Sequence, residues 1–403
     1  MSVVAADVER AREAIGDVVL RTPLLASPTL SERCSGRIAL KAENLQHTGS
    51  FKLRGALGKL ASLGAACERG VVAGSAGNHA WALAQAARAR GVPCEVFMPT
   101  HAPIAKVDGC AALGAVVRLV GDSLEECFVA ASERAQEGGL AFVHPFDDPD
   151  VVAGQGTVGL ELLEDVDDLA KVVVPLGGGG LASGIAIAVK SARPGVEVVG
   201  VQAGACASFA ESLRRGEPIA AASALTIADG IAVKRPGDLT LGLVRRWLDG
   251  VVEVGEDEIA EAMVLLLERS KLVVEGAGAV GVAALLGGLV APASSGTTVV
   301  VLSGGNVDTG VLAALARRHE TQVGRRLVLF TRVPDRPGAL ARLLACVAGA
   351  GANLLEVEHV REGVALHVRE TAVQLVLETR GREHAQAVQT AIADDGYVAR
   401  VVS

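Results

Sequence analysis

VVVPLGGGGLASGI, residues 172–185, is the stretch of sequence that decides the fold. An apolar, β-branched run leads into four consecutive glycines and then into an apolar segment that predicts a helix over residues 185–190. Glycine lets backbone N–H groups close on an anion, and the helix dipole adds positive potential at the helix N-terminus. The pattern therefore predicts a strand, a phosphate-binding loop and a helix start. The loop consists of Gly177, Gly178, Gly179 and Gly180.

The same string also matches G-x-G-x-x-A from Gly177 to Ala182, a pattern found in dinucleotide-binding folds. In those folds an acidic residue near the end of the next strand binds the ribose hydroxyl. The next predicted strand covers residues 196–201 and is followed by the uncharged Gln202. The sequence therefore favours a lone phosphate over a dinucleotide. A plain tight turn is a third reading, but four glycines are costly in backbone entropy for that purpose alone.

A second segment, TGSFKLRGA at residues 48–56, places a lysine on a Gly/Ser turn that opens a helix. Lysine can form a Schiff base with a carbonyl cofactor, and it must be desolvated and fixed to do so. Phe51 would give Lys52 apolar cover and so lower its pKa, which suits a general base. Taken alone, this segment also fits an ordinary lysine near a helix start.

Two further segments offer polar groups at the ends of predicted strands. Gly74-Ser75-Ala76-Gly77-Asn78-His79 precedes an alanine-rich helix over residues 81–90, where free N–H groups suit a substrate carboxylate. Asn78 can both donate and accept a hydrogen bond, although a plain helix cap is the alternative. Ser303 ends a buried strand, and ligands of open α/β sheets bind at that edge.

Four more motifs accompany these segments: HPFDDP (144–149), AGQGT (153–157), TIADGIAVK (226–234) and VEGAGA (274–279). With them the chain resembles the pyridoxal-phosphate enzymes of the tryptophan-synthase β fold type, and within them the threonine dehydratase (threonine ammonia-lyase) family. The resemblance runs from about Arg21 to the C-terminus. It implies a two-lobed α/β fold with mainly parallel sheets and pyridoxal 5'-phosphate between the lobes.

The resemblance also implies roles for individual residues. Lys52 would carry the cofactor covalently and, with Ser75, act in catalysis. Asn78 would bind the ring hydroxyl of the cofactor and Ser303 its pyridine nitrogen. The phosphate would be held by Gly177, Gly178, Gly179, Gly180 and Leu181. The carboxylate of the substrate would be bound by Ser75, Gly77 and His79.

Two positions depart from related families. Serine racemases have a serine, their second acid/base, where this chain has Ala76, so the racemase reading loses its key group. Trp81 stands where glutamine is common, which predicts a different packing of the helix behind the carboxylate loop. In some relatives acidic residues after the 196–201 strand bind a divalent cation. Here those places fall on Gln202, Cys206 and Ser208, so no metal site is predicted.

Composition predicts a cytoplasmic enzyme of two to three domains. The chain has 403 residues, half of them hydrophobic, and a formal net charge of −8, which argues against nucleic acid or an anionic membrane as a partner. Its seven cysteines form no C-x-x-C pair and are read as reduced thiols. The mixed charges near the N-terminus leave no room for a signal-peptide core. The charge-free stretch over residues 276–307 is broken by turns, so no membrane span is predicted.

Apolar runs alternate with helical patterns, which predicts βα units. Strands are predicted over residues 37–41, 71–73, 94–98, 116–120, 141–143, 171–175, 197–202 and 299–303. The catalytic domain is assigned to residues 1–320, with a smaller lobe from about 55 to 144. Residues 321–325 are read as a linker.

Residues 326–403 predict a second module with the order βαββαβ, the ferredoxin-like split motif, and a turn at Glu362-Gly363. The spacing of Pro337-Gly338, Leu340 and Asn353 resembles an ACT regulatory domain. Such domains pair across subunits and bind small ligands, which implies a homo-oligomer, dimer or tetramer, with isoleucine or valine as effector at Gly338, Leu340 and Asn353. A dimerisation tail without a ligand is the alternative.

The function implied is dehydration and deamination of L-threonine, and of L-serine, to 2-oxobutanoate or pyruvate and ammonia, a first step toward isoleucine. Serine racemase, 3-hydroxyaspartate ammonia-lyase and a β-replacing synthase are alternatives on the same fold. A non-catalytic amino-acid sensor is a further alternative, but it would be expected to lose Lys52 or the glycine loop, and both are intact.

Overall fold

The computed structural model describes residues 3–223, 225–361 and 366–402. The predicted turn at Glu362-Gly363 lies outside these residues. The chain divides into two compact units, Met1–Val307 and Asp308–Ser403. The catalytic domain was predicted to end at residue 320, whereas the first unit ends at Val307 and the helix Thr309–Gln322 belongs to the second unit.

The first unit contains ten strands and twelve α-helices among its described residues. Its strands are β1 (Leu24–Ala26), β2 (Arg37–Lys41), β3 (Val71–Gly74), β4 (Cys94–Met98), β5 (Val116–Leu119), β6 (Ala141–Phe142), β7 (Leu169–Pro175), β8 (Glu197–Ala203), β9 (Gly250–Val254) and β10 (Thr297–Val301). Its helices are α1 (Ala5–Ile15), α2 (Pro28–Arg33), α3 (Lys52–Leu63), α4 (Asn78–Arg90), α5 (Ile104–Ala112), α6 (Leu124–Gly138), α7 (Pro149–Asp165), α8 (Gly180–Ala192), α9 (Ser208–Arg215), α10 (Asp238–Trp247), α11 (Glu256–Leu265) and α12 (Gly276–Leu286).

These strands form two sheets, one in each lobe. The larger lobe has the order β1-β2-β10-β7-β8-β9, parallel except for the edge strand β1. The smaller lobe has the order β5-β4-β3-β6, parallel throughout. The predicted α/β class with mainly parallel sheets is confirmed. Because parallel strands end at a common edge, the loops after β3, β7 and β10 lie at the carboxyl ends of their sheets.

A buried ionic cluster ties the start of the chain to helices α3 and α7. Arg54 is 1% exposed and donates to Glu43 at 2.9 Å and to Glu161 at 2.6 Å. Lys41, also buried, lies 2.6 Å from the Glu161 carboxylate and donates to the Thr22 carbonyl. Both charges are desolvated, so each requires its partners. The cluster therefore fixes α3 two residues after Lys52.

The second unit consists of helix α13 (Thr309–Gln322), followed by β11 (Arg326–Pro334), α14 (Ala339–Gly349), β12 (Asn353–Val360), β13 (Glu370–Glu378), α15 (Arg382–Asp394) and β14 (Ala399–Val401). Its sheet is antiparallel with the order β12-β13-β11-β14. The predicted βαββαβ order is confirmed. The unit has its own core, built around residues such as Leu329, Leu343, Leu375 and Val388.

Two strands, β1 and β9, were not predicted, because one has three residues and the other is mostly half-exposed. Helices α4 and α8 begin at Asn78 and Gly180, several residues earlier than predicted. In both cases the first turn carries residues of low helix propensity, which tertiary packing overrides. Within the described residues, no helix is long and apolar enough to cross a membrane.

Candidate active site

Lys52 is the first residue of α3, directly after the N-cap residue Phe51. Its Nζ donates a hydrogen bond of 2.8 Å to the Pro145 carbonyl and lies 5.3 Å from the centre of the Phe51 ring. Burial of the amine lowers the pKa of Lys52 to about 8, against an opposing effect of the Glu275 carboxylate. A lysine with this pKa is available as a nucleophile and as a base near neutral pH.

The glycine loop between β7 and α8 has room only for glycine at three positions. A Cβ on Gly178 would lie 2.1 Å from the ring of Phe146, and one on Gly177 would lie 2.8 Å from the Cα of Ile231. Gly179 has φ +90°, where other residues are strained. Among the described residues, the amides of residues 177–182 have no backbone acceptor. The loop is therefore a cradle of free N–H groups at a helix N-terminus, which suits a phosphate.

The loop after β3 presents Asn78 at the start of α4. Its Nδ2 donates to the Glu275 carboxylate at 2.7 Å, and its Oδ1 accepts from Asn306 Nδ2 at 2.8 Å. Asn306 also donates to the Thr48 carbonyl. These bonds leave one hydrogen of the Asn78 amide available for a ligand. The side chain is held in one orientation by Glu275 and Asn306, which come from two separate segments.

Ser75 and His79, predicted to bind the substrate carboxylate with Gly77, both make contacts with the main chain. Ser75 Oγ accepts from the Gly77 amide at 3.3 Å. The His79 ring is buried and lies 3.0 Å from the Val143 carbonyl. Desolvation lowers the pKa of His79 to about 3, so the ring is neutral. One nitrogen of the ring is thus engaged with the main chain.

Ser303 follows β10 and is 3% exposed. Its carbonyl accepts from the Phe51 amide at 3.1 Å, and Gly305 donates to the Gly49 carbonyl. An isolated bridge between Ser50 and Gly304 completes this contact. The lysine turn and the Ser303 segment are therefore fixed side by side, although about 250 residues of chain separate them.

A single cavity of the first unit brings most of the predicted residues together. It is lined by Phe51, Lys52, Asn78, Gly177, Gly178, Gly179, Gly180, Leu181 and Ser303. Among the described residues, the lining of this cavity does not include Ser75, Gly77 or His79, which belong to the same loop as Asn78.

Sequence reasoning missed Glu275, which lines the same cavity at the N-cap of α12. Its carboxylate is buried, and desolvation together with Asp229 raises the pKa of Glu275 to about 7, although Asn78 opposes this. Glu275 could have been predicted from the sequence, because it is a lone carboxylate immediately before the charge-free stretch over residues 276–307. Phe146, Gln155 and Ile231 also line the cavity.

Trp81 packs helix α4 against helix α5. Its Nε1 donates to the Lys106 carbonyl at 3.1 Å, and the indole leaves no room for a Cβ on Gly109, which would lie 2.8 Å away. The tryptophan is therefore a packing residue behind the Asn78 loop.

The three residues expected to bind an effector are not brought together within one chain. Gly338 and Leu340 lie at the start of α14, beyond the Pro334 end of β11. Asn353 begins β12 and pairs with Glu378, which faces Arg326 at the other end of β11. The nine residues of β11 span about 26 Å at roughly 3.3 Å per step, so these groups lie at opposite ends of the sheet.

Two of the three positions considered for a cation, Gln202 and Ser208, hold side chains engaged with the main chain. Gln202 accepts from the Phe209 amide at 3.1 Å, and Ser208 Oγ donates to the Val233 carbonyl at 3.0 Å. Among the described residues, no group of three or more His, Cys, Asp or Glu side chains could hold a metal ion.

Residues 15–305 match the family described as pyridoxal-phosphate dependent enzyme. The chain is 46% identical to the L-threonine ammonia-lyase of Thermotoga maritima over 397 residues, which cover 98% of each chain. Among solved structures, a threonine deaminase from T.th. has a TM-score of 0.71 and 40% identity over 76% of this chain and 99% of that one. The maize serine racemase has a TM-score of 0.75 and 34% identity over 80% of this chain and 99% of that one.

Proposed function

The chain belongs to the family of pyridoxal-phosphate-dependent enzymes, and we propose that within it the protein is a threonine ammonia-lyase. It converts L-threonine to 2-oxobutanoate and ammonia, and L-serine to pyruvate and ammonia. The observation that carries this proposal is the near full-length similarity to the L-threonine ammonia-lyase of Thermotoga maritima. Because the similarity covers 98% of each chain, it includes both the segments that line the cavity and the second unit.

The residues of the cavity fit pyridoxal phosphate. The glycine cradle offers backbone amides to a phosphate, and side chains at Gly177, Gly178 and Gly179 would fill it. Lys52 offers an amine of lowered pKa, and Ser303 a hydroxyl in the same cavity. We assign the cofactor to these residues, with Asn78 at its ring hydroxyl.

When bound, the cofactor supplies the electron sink that stabilises negative charge at the substrate Cα. The Lys52 amine then serves as the base that takes the Cα proton. A pKa of about 8 raises its unprotonated fraction at pH 7.5 from roughly one in a thousand to roughly one in four. Desolvation thus makes the amine a base at neutral pH without another catalytic group.

The remaining groups of the cavity orient the reactants and control charge. Asn78, held by Glu275 and Asn306, has a fixed amide for hydrogen bonding. Ser303 is a neutral hydroxyl, and a neutral partner does not hold a pyridine nitrogen protonated as a carboxylate would. A weaker electron sink favours prompt loss of the β-hydroxyl over side reactions.

Ala76 separates this function from racemisation. Racemisation requires a proton donor on the face of the substrate opposite Lys52, and an alanine methyl group cannot transfer a proton. Ala76 packs against the core of the small lobe. The similarity in fold to the maize serine racemase does not by itself supply that group.

The test is release of 2-oxo acids from L-threonine, L-serine and 3-hydroxyaspartate, with D-serine formation followed in parallel. We expect L-threonine to give the highest kcat/KM. Lys52→Ala should lose both turnover and the visible absorbance of lysine-bound cofactor, whereas Lys190→Ala, at the far end of α8 in an ion pair with Asp249, should keep both. Faster turnover of 3-hydroxyaspartate, or efficient racemisation of serine, would contradict the proposal.

For the second unit we propose regulation by a branched-chain amino acid, isoleucine or valine, in a homo-oligomer. The support is that residues 308–403 form a compact unit with a core of its own. Gly338 and Asn353 lie at opposite ends of one sheet, so a ligand contacting both must lie between two copies of the unit. An effector acts only through different affinities for two states of the enzyme.

The regulatory proposal is tested on the full chain by threonine saturation and melting temperature with isoleucine, valine or AMP. Isoleucine or valine should shift both quantities, and Asn353→Ala should weaken the shift. Glu358→Ala, on the exposed face of the same strand, is the matched control. A response to AMP alone would favour a nucleotide-binding unit, and no response would favour a dimerisation tail.

A further inference from the structure

The turn between β6 and α7 contacts two parts of the catalytic cavity and two neighbouring helices through successive residues. The Pro145 carbonyl accepts from Lys52 Nζ at 2.8 Å, and the Phe146 ring covers Gly178. Asp147 Oδ1 accepts from the Thr240 amide at the start of α10. Asp148 caps α7 and lies 2.6 Å from Lys59 of α3. A shift of this turn would therefore displace the lysine and the phosphate loop together.

His144 determines the shape of the turn. Its Nδ1 accepts two backbone hydrogen bonds, from the Asp147 amide at 2.8 Å and from the Phe146 amide at 3.2 Å. Because both groups are donors, Nδ1 carries no hydrogen, and the neutral ring has its proton on Nε2. Two amides converging on one acceptor fold the chain back. The Phe146 N–H belongs to the same planar peptide unit as the Pro145 carbonyl, so holding that N–H on His144 directs the carbonyl to the opposite side, where it meets Lys52.

Aromatic packing holds the imidazole in place. The ring makes edge-on contacts with Phe128, Phe142 and Phe146, with centroids 5.2, 6.3 and 4.7 Å away. Burial lowers the pKa of His144 to about 4, and Lys52 acts in the same direction, while Asp147 and Asp148 oppose it. The acceptor at Nδ1 is therefore available throughout the neutral range.

We propose that His144 is a positioning residue for Lys52, which acts by shaping the turn so that the Pro145 carbonyl holds the lysine amine. The contact operates whenever the amine is not bonded to the cofactor, which includes the moment at which it takes or returns a proton. This inference rests on the assignment of Lys52 proposed above. A carbonyl hydrogen-bonded to an amine stabilises the ammonium form more than the neutral form. The carbonyl therefore limits how far burial lowers the basicity of Lys52.

The test measures the pH dependence of cofactor capture by the cofactor-free protein, alongside kcat and KM. His144→Phe keeps an aromatic ring and removes the acceptor, and His144→Ala removes the acceptor without adding bulk. His144→Asn places an amide oxygen where Nδ1 lies. Phe128→Leu disturbs the aromatic packing without touching the acceptor.

The wild-type, His144→Asn and Phe128→Leu proteins should capture the cofactor with a midpoint near pH 8. In His144→Phe and His144→Ala the midpoint should fall to about pH 7, with kcat lowered roughly ten- to 100-fold and KM within about threefold. His144→Asn should keep kcat within about threefold of wild type.

An unchanged midpoint in both acceptor-free variants, with folding verified by melting temperature, would overturn the inference. The same loss in His144→Asn as in His144→Phe would also overturn it, because the ring and not the acceptor would then matter. Lys52→Ala, assayed in parallel, separates the two proposals. If Lys52→Ala retains covalently bound cofactor, the assignment of the lysine fails first.

Discussion

Replacing Gly178 with alanine tests whether the glycine loop and the Phe146 turn form one binding surface. The added Cβ would lie 2.1 Å from Phe146 Cγ and within 2.6 Å of two further ring atoms. Ordinary contact requires about 3.4 Å or more, so the ring or the loop must move by more than 1 Å. The Phe146 ring cannot turn away freely, because the His144 ring packs against it with centroids 4.7 Å apart and ring planes at 89°.

Overpacking of this kind costs about 1–3 kcal/mol. Since the displaced atoms are the amides that would hold the phosphate, we expect the dissociation constant of pyridoxal phosphate to rise roughly five- to 150-fold. Titration of cofactor-free protein, followed by the absorbance of lysine-bound cofactor, measures this change directly.

Gly242→Ala is the matched control, because Gly242 lies in α10 with no atom within 4 Å of the added Cβ. It should leave cofactor affinity unchanged and stabilise the protein by up to about 1 kcal/mol, since alanine favours a helix more than glycine does. Cofactor affinity of Gly178→Ala within twofold of wild type would refute the reasoning and place the phosphate elsewhere.

Three further predictions concern other parts of the first unit. Ala76→Ser should introduce measurable racemisation of serine, because it adds a hydroxyl in the carboxylate loop; chiral analysis of recovered substrate checks this. Arg54→Ala should lower the free energy of unfolding by about 3–5 kcal/mol, because it leaves the buried Glu43 without a cationic partner and takes one of two from Glu161, which keeps Lys41. Arg118→Ala, at a half-exposed pair, should cost less than about 1 kcal/mol, and both changes are measured by denaturant titration. Glu275→Gln should change how stability depends on pH. The folded pKa of Glu275 is raised to about 7, so its contribution is present below pH 4.5 and is lost as pH rises to 7. In cofactor-free wild-type protein the free energy of unfolding should fall by up to about 3 kcal/mol between pH 4.5 and 7 because of this group. In Glu275→Gln this fall should be absent, and thermal unfolding at the two pH values measures the difference.

Local sequence signals identified the elements whose structure follows from residues close together in the chain. Four glycines after a β-branched strand have few uses other than a backbone cradle, and the structure places them at the start of α8. The second unit was readable for the same reason, since turn residues separate alternating strand and helix patterns. Helix starts were less readable, because Asn78 and Gly180 are helical only through packing against the sheets.

Contacts between distant segments were not readable from the chain. Glu275 looks like an ordinary helix-cap residue until Asn78 and the lysine turn are seen beside it. The expected effector residues share a motif but lie at opposite ends of a sheet. His79 follows the carboxylate loop in sequence, yet its ring is engaged with the carbonyl of Val143, the residue that follows β6.

The amino-acid sequence by itself determined the class of chemistry, because a lysine on a tight turn, a glycine cradle and a strand-end serine are each local patterns with a chemical purpose. It also determined the alternation of strands and helices, through periodicity that acts over a few residues. Tertiary structure alone decided how basic Lys52 is, because burial of the amine depends on packing between segments, and its hydrogen-bond acceptor, the Pro145 carbonyl, lies 93 residues away. The same holds for the orientation of Asn78, which depends on partners 197 and 228 residues distant. Electrostatic and hydrogen-bonding energies depend on distance in space, and a one-dimensional pattern does not contain those distances.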